Sequence, residues 1–497
     1  MAVAAALALT LTAAACSSGE APADPAAPES GGSLTVAGPL PIENLDPHGP
    51  SSMDGGTQLA ARAIFSQLVI SMGGGEFAGE LAESWSANDD ASEWTFTLRP
   101  DVTFSDSSPV TAADVVASFE RVLEAGGPLA GNFGGYTIAA PDDATVVFTA
   151  EAPDAAFLGK ISSFFVTPQA ADETFFQDPI GSGPFVVESF EPGQALQLVP
   201  NPTYWGGEPE LEHLEFRSIP EVAGRMTALQ TGEVDVTWGM PDDQIAPLQS
   251  DSNLVVETVP TAAVITMWMN SSEPILQDPA VRRALWQAID FETIIASLYP
   301  ETGSPADAPI GPDVLGYAPQ EPVEYNPEAA RAALEAAGFD FENTQIRWQF
   351  SQAKFRNFVS AVVSDLADIG VTVVPEEKEQ AVFLEDLLAL NWDMNLQQIG
   401  SAGFDAATNL GRLYPCEANR TGYCNEELDA LLLAAGSTSD TAERTELYAQ
   451  ATEIIWEDAV GMYPMFVEQA YSWRATVEGF TPSPDIPYFH EVTNASD

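Results

Sequence analysis

Few side chains in this chain are spaced for turnover chemistry. Its three histidines, His48, His213 and His490, stand in no H-E-x-x-H zinc motif and beside no candidate nucleophile. Gly73-Gly74-Gly75 lacks the Lys-Ser/Thr that completes a phosphate loop, and reads as a turn between lobes. Gly181-Ser182-Gly183 sets a serine between glycines, but it is not G-x-S-x-G. Pro184 also follows where the helix behind a nucleophile would open. Acidic residues number 74, too many for one acid–base pair to stand out. The expectation is a binding protein without cofactor or metal, with a secreted hydrolase as the distant alternative.

Binding chemistry is better represented. Trp238 follows the strand-like Gly232-Glu233-Val234-Asp235-Val236, and Gly239-Met240-Pro241 reads as a loop at that strand's end. Ligands of α/β proteins sit at such ends. Trp238 and Trp392 offer flat faces for a sugar ring or an apolar side chain, although with ten tryptophans core packing competes for both.

The elements that must carry these residues alternate between strand and helix, which argues for an α/β architecture. Ser33–Ala37, Trp94–Leu98 and Thr145–Thr149 read as strands, and Gln58–Val69 as a helix. Thr111 with Asp114 forms a capping-box-like start. Val115, Val116, Phe119, Val122 and Leu123 then fall on one helical face, and Gly126-Gly127 ends the run. Asp278-Pro279 and Asn326-Pro327 each open a helix. A stripe from Phe355 to Ile369 marks another helix as buried on one side, and Asp440–Asp458 is amphipathic.

Leu81–Val122, LAESWSANDDASEWTFTLRPDVTFSDSSPVTAADVVASFERV, resembles the signature of extracytoplasmic solute-binding proteins of family 5, the peptide/nickel class that serves ABC importers. Gly181–Phe185, Asn201–Gly207, Ala228–Val236 and Met269–Ile295 are similar to further family motifs, so the resemblance spans about residues 33–490. It implies a bilobed periplasmic-binding-protein-like clamshell with an additional inserted domain, a small-molecule or peptide ligand, and ABC permease subunits as partners. By analogy, lobe I collects residues 33–71, 181–262 and 462–497, the inserted domain covers 72–180, and lobe II covers 263–461. An oligopeptide or dipeptide is the implied ligand, with a carbohydrate or other small solute as the alternative on the same fold.

Peptide-binding relatives carry a segment like YDMxxxGWxxDxxDP, whose first aspartate after the tryptophan pairs with the ligand's ammonium. In this chain Trp392–Ala406 resembles it, but the ammonium-pairing position falls on Ala402. Asp405 matches the second aspartate, and a one-residue slip would let it take over. Gln397, Gln398 and Ser401 would make the wall neutral and hydrogen-bonding. Arg356 falls near the family's carboxylate-binding arginine, two residues after Lys354. Pairing with nearby acid is the competing role. The site implied is therefore Trp238, Met240, Arg356, Trp392, Gln398, Ser401 and Asp405.

Residues 1–15 are uncharged and apolar, too short to span a bilayer, and end on small residues before Cys16. This reads as a signal peptide with a lipidated Cys16, followed by a flexible tether to residue 32. Simple cleavage near Ala15 is the alternative. The expected location is the outer face of the cytoplasmic membrane, held by the lipid, as a monomer. Cys416 and Cys424 bracket a short polar loop, and a disulfide fits an exported chain better than a metal, since no histidine lies nearby. The formal net charge of −57 excludes nucleic acid as a partner and points to adaptation to saline surroundings.

Overall fold

The computed structural model describes residues 31–172 and 174–495. The expected signal peptide, the lipidation expected at Cys16 and most of the expected tether lie outside the described residues. Gly31 and Gly32, read above with the tether, are already part of the fold: Gly31 N–H donates to Glu210 O at 3.0 Å, and Gly32 O accepts from Glu212 N–H at 2.9 Å.

Ser33–Gly38 alternates, with Leu34 and Val36 turned inward. It pairs in parallel with His213–Ser218 and with Val236–Trp238. Antiparallel Ala195–Pro200 and Phe185–Glu191 extend the sheet beyond His213–Ser218. On the other side come Gly461–Arg474, Leu254–Met269, Met394–Gly400, Gln345–Phe350 and Thr372–Glu377, and short Gly303–Pro305 pairs with Gly461–Arg474 off this path. The result among the described residues is one sheet of eleven strands, flanked by helices, in the α/β class expected.

Three large apolar cores form around it. One gathers Leu34, Leu59, Leu196, Leu214, Trp473 and Phe489. A second lies apart on a four-stranded antiparallel sheet and contains Phe96, Phe119, Phe133, Phe148 and Phe157. The third contains Trp268, Leu285, Trp348, Phe358, Leu366 and Ile455. Burying each such side chain contributes about 1.5–3 kcal/mol, so each body has its own reason to stay folded.

Two long strands join the first and third cores. Leu254–Met269 and Gly461–Arg474 pair from Leu254↔Arg474 to Trp268↔Gly461, with a register break between Pro260 and Val264. Proline has no N–H for the ladder, and the break frees the backbone there. Val264–Met269 is buried, whereas Thr258–Ala263 and Val467–Gln469 are not. The two strands are thus buried where they enter the third core and half-buried where they pass between the cores.

Local chemistry follows the sequence closely at the caps. Asp114 accepts from both the backbone N–H and the hydroxyl of Thr111 at 2.8 and 2.7 Å, and Gly126 closes that helix at φ +62. Asp278 and Asn326 cap their helices as expected. Two expectations fail. Leu123 is 40% exposed and lies off the buried face. The helix expected over Gln58–Val69 occupies Gly55–Ile64. After it the chain extends, because Ser66–Gln67 pairs with Phe165–Val166 while Phe65, Leu68 and Val69 bury between two cores.

Candidate functional site

Gly38, Ser218 and Trp238 are the carboxyl ends of three neighbouring parallel strands, so they share one edge of the sheet. Trp238 stays partly exposed there, its ring 5.8 Å from that of Tyr471. A Cβ on residue 38 would come within 3.0 Å of the indole, so glycine at this position lets the ring lie across the strand end. Arg225, almost fully buried, donates to the carbonyls of Ile219, Pro220 and Gly239 at 2.9, 2.7 and 3.3 Å. It ties together the loops that follow two of these strands. Met240 is a correction: it is buried with Met226, Leu229, Ile245 and Leu248, because the following helix Asp242–Gln249 folds over it.

Met394–Gly400 carries the motif-bearing segment in the third core, between Leu254–Met269 and Gln345–Phe350. Trp392 is buried and its indole N–H donates to Leu387 O at 3.3 Å, so it packs the core and offers no face to a ligand. Gln398 is half-buried, and its amide oxygen accepts from Lys354 Nζ at 2.7 Å. Ser401 is buried with an unpartnered hydroxyl, and Gln397 Nε2 is also unpartnered among the described residues. Unpaired buried donors cost stability unless something else satisfies them.

Asp405 is not free. Arg444 Nη2 lies 2.8 and 2.9 Å from its two oxygens, and the Ala407 N–H donates to Oδ1 at 2.9 Å. The slip that would bring Asp405 to a ligand would break this buried pair. Phe404 beside it holds φ +55, rare for a bulky residue, and its carbonyl accepts from the Leu315 N–H at 2.8 Å. Ala402 is exposed. The loop is therefore shaped by internal bonds, and its carboxylate faces an arginine of its own chain.

Arg356 is likewise paired within the chain. Its Nε and Nη2 both lie 2.7 Å from the Glu377 carboxylate, and the pair is exposed. Lys354 is different. Of three lysines, Lys160 pairs with Asp154 and Lys378 with Glu376 and Asp386, while Lys354 has no carboxylate partner among the described residues. Its ammonium lies 4.9 Å from the Phe355 ring centre. Desolvation lowers its pKa, although the side chain as a whole remains exposed.

Nothing in this arrangement resembles a metal centre: among the described residues no group of three or more His, Cys, Asp or Glu could hold an ion. His48 is buried, bonded through Nε2 to Phe165 O at 2.8 Å, and burial lowers its pKa to about 4. It is a neutral structural residue. Cys416 and Cys424 form the expected disulfide.

Sequence reasoning missed Gly38, Arg225 and Arg444. A signal existed for the last: Arg444, Tyr448, Ala451, Thr452 and Ile455 share the buried face of one helix. An arginine on such a face implies a buried counter-charge.

Comparison with known proteins supplies the context. The model of the bacterial extracellular solute-binding proteins, family 5 (middle) matches residues 76–421. The probable D,D-dipeptide-binding periplasmic protein DdpA of Escherichia coli is 29% identical over 443 residues, 85% of this chain and 86% of that protein. The probable di/tripeptide-binding protein 5 of Pseudomonas aeruginosa is 28% identical over 473 residues, covering 86% and 89%. The solved structure of HbpA2 from Haemophilus parasuis superposes with a TM-score of 0.84 at 25% identity, over 93% of this chain and 99% of that one. With the family's signature matched across most of its length and the family's fold around it, this chain belongs to the bacterial extracellular solute-binding proteins of family 5.

Proposed function

We propose that the chain captures a small peptide-class solute bearing a carboxylate and lacking a free ammonium, and delivers it to an ABC importer. The observation that carries this reading is the contrast between Lys354, which has no carboxylate partner among the described residues, and Asp405, which Arg444 already occupies. A ligand carboxylate would gain a charge-assisted bond from Lys354. A ligand ammonium would find alanine at position 402 and an engaged carboxylate at 405. Unpartnered Ser401 Oγ and Gln397 Nε2 supply neutral donors for an amide or acyl group. The curated relatives named for dipeptides and for di- and tripeptides support the peptide class.

The same proposal assigns lobe I to residues 33–71, 181–262 and 462–497, the inserted domain to 72–180, and lobe II to 263–461; the three separate cores support that division in outline, with Leu68 and Val69 packing in the second core, Phe165 and Phe176 in the first, and Met462, Met465 and Phe466 in the third. It places the ligand between Trp238 and the 397–401 edge, with the half-buried segment at the Pro260–Val264 register shift as hinge. Closure then requires a ligand that touches both sides. Membrane attachment through Cys16 and a monomeric state belong to the proposal as well. The half-exposed face of Trp238 favours one second reading, a carbohydrate.

Mass spectrometry of what co-purifies, followed by calorimetry, tests the reading. N-acetylated dipeptides with a free carboxylate should bind at least tenfold more tightly than the same dipeptides with a free amine. Tight binding of the free-amine forms would sink it, and binding of disaccharides alone would move the assignment to the second reading. Hydrolysis of any of these compounds would instead reveal an enzyme.

A further inference from the structure

The second core touches the third through backbone, and at the loop that carries Ser401 and Asp405. Hairpin Val69–Gly73/Glu76–Gly79 turns through Gly73, Gly74 and Gly75 at φ +86, +60 and +79. Only glycine adopts three such values in a row without strain. At its tip Gly74 N–H donates to Asp313 O at 2.6 Å, and a Cβ on Gly75 would come within 3.0 Å of the Leu315 side chain. Helix Phe157–Ile161 makes the second contact. A Cβ added to Gly403 would lie 2.3 Å from Gly159 Cα, so the two backbones meet glycine to glycine. Ser71 Oγ reaches Gly403 O at 3.4 Å, and Ala155 N–H donates to Gly436 O at 3.0 Å. Glycine is a poor helix former, so Gly159 inside a helix has a reason in packing.

These contacts converge on one unit. Leu315 N–H donates to Phe404 O, and Ala406 N–H donates to Leu315 O at 3.1 Å, which staples Asp313–Leu315 to loop 401–406. Phe157, Leu68 and Val69 root the hairpin and the helix in the second core. We infer that the second core is a closure clamp, which holds the closed state by gripping the back of the ligand loop through Gly74, Gly159 and Gly403. The inference rests on the solute-binding role and is independent of which ligand is bound. A clamp that favours the closed form raises apparent affinity without touching the ligand. It also gives the Gly73–Gly75 turn a task that the absent phosphate-loop residues leave unfilled.

Thiol trapping tests this without ligand. In a Cys16→Ser background, Ser71→Cys and Ala402→Cys are joined by a short thiol-to-thiol crosslinker, and the rate is compared across Gly159→Ala, Gly159→Val and Gly159→Leu. Alanine is the control, because its Cβ meets Gly403 Cα at 3.4 Å, an ordinary contact. Leucine should slow crosslinking at least tenfold relative to alanine, with valine between, while far-ultraviolet circular dichroism stays unchanged. Equal rates for all three, or no crosslink in the parent pair, would overturn the clamp. If leucine unfolds the protein, the alanine-to-valine comparison decides on the same criterion.

Discussion

Arg444 reaches from helix Thr441–Glu457 to hold both oxygens of Asp405 at 2.8 and 2.9 Å, with the two side chains only 6% and 3% exposed. Arg444 Nε also donates to Ala435 O at 3.1 Å, so one guanidinium joins loop 401–406 to the end of a neighbouring helix. Removing one partner from such a pair strands a buried charge, which costs about 3–5 kcal/mol. Arg444→Ala should therefore lower the unfolding free energy by that amount in urea. Asp405→Asn can keep an oxygen for the Ala407 N–H and should lose less. The double variant should fall well short of the sum of Arg444→Ala and Asp405→Ala. Additive losses would show that the two residues do not act as a pair.

Lys354 and Arg356 stand two residues apart and should behave differently. Arg356 is exposed and engaged by Glu377, and exposed pairs contribute about 0–1 kcal/mol. Lys354 spends its ammonium on a neutral amide. With an N-acetylated dipeptide as titrant, Lys354→Met should weaken binding about 10- to 100-fold, as expected for a charge-assisted bond of about 1.5–3 kcal/mol. Arg356→Met should stay within about twofold. A reversed order would restore Arg356 to the binding site.

The architecture was readable from periodicity and caps, because those signals are local: Asp114 on Thr111, Asn326 before Pro327, and the stripe ending at Ile369 all describe one helix each. The disulfide was readable for the same reason. Site roles depend on partners far along the chain, and there the reading was weaker. Asp405 meets an arginine 39 residues on, and Arg356 meets a glutamate across a strand. Trp392 and Trp238 look alike in sequence, yet one packs inside a core and the other borders an open strand end. In so acidic a chain almost any cation could find a carboxylate, so a missing partner, as at Lys354, becomes informative only in three dimensions.

Glu80 and His48 should pull stability in opposite directions with pH. Burial raises the Glu80 pKa to about 7, against the opposing Gln67 N–H at 2.6 Å and the nearby Arg62. Its contribution is full below about pH 4.5 and lost as pH rises through about 7. Burial lowers His48 to about 4, so its contribution is full above about 6.5 and lost as pH falls through about 4. Between about 4.5 and 6.5 the two slopes oppose each other. Subtracting the unfolding free energies of Glu80→Gln from those of the parent across this window isolates the first term, which should fall by an amount on the order of 3 kcal/mol towards neutral pH. A flat difference curve would show that Glu80 is already ionised when folded.

Charge should make the whole fold salt-dependent. Seventeen cationic residues cannot neutralise 74 acids, so most carboxylates lack a cationic partner and repel one another across the surface. Raising ionic strength from about 0.01 to 0.15 M shortens the screening length from about 30 to 8 Å. That spans the spacing of neighbouring surface charges and stays below the range where salting-out dominates. The unfolding midpoint should rise steeply over this interval and level off above it. The rise should be the same for NaCl and KCl, because screening depends on ionic strength and not on the cation. Buried pairs such as Arg444–Asp405 should not share in this response, since they lie out of reach of mobile ions. The loss caused by Arg444→Ala should therefore be nearly equal at low and high salt. An unchanged midpoint across the interval would mean that the acidic surface is already neutralised by bound cations, and that its repulsion plays no part in limiting stability.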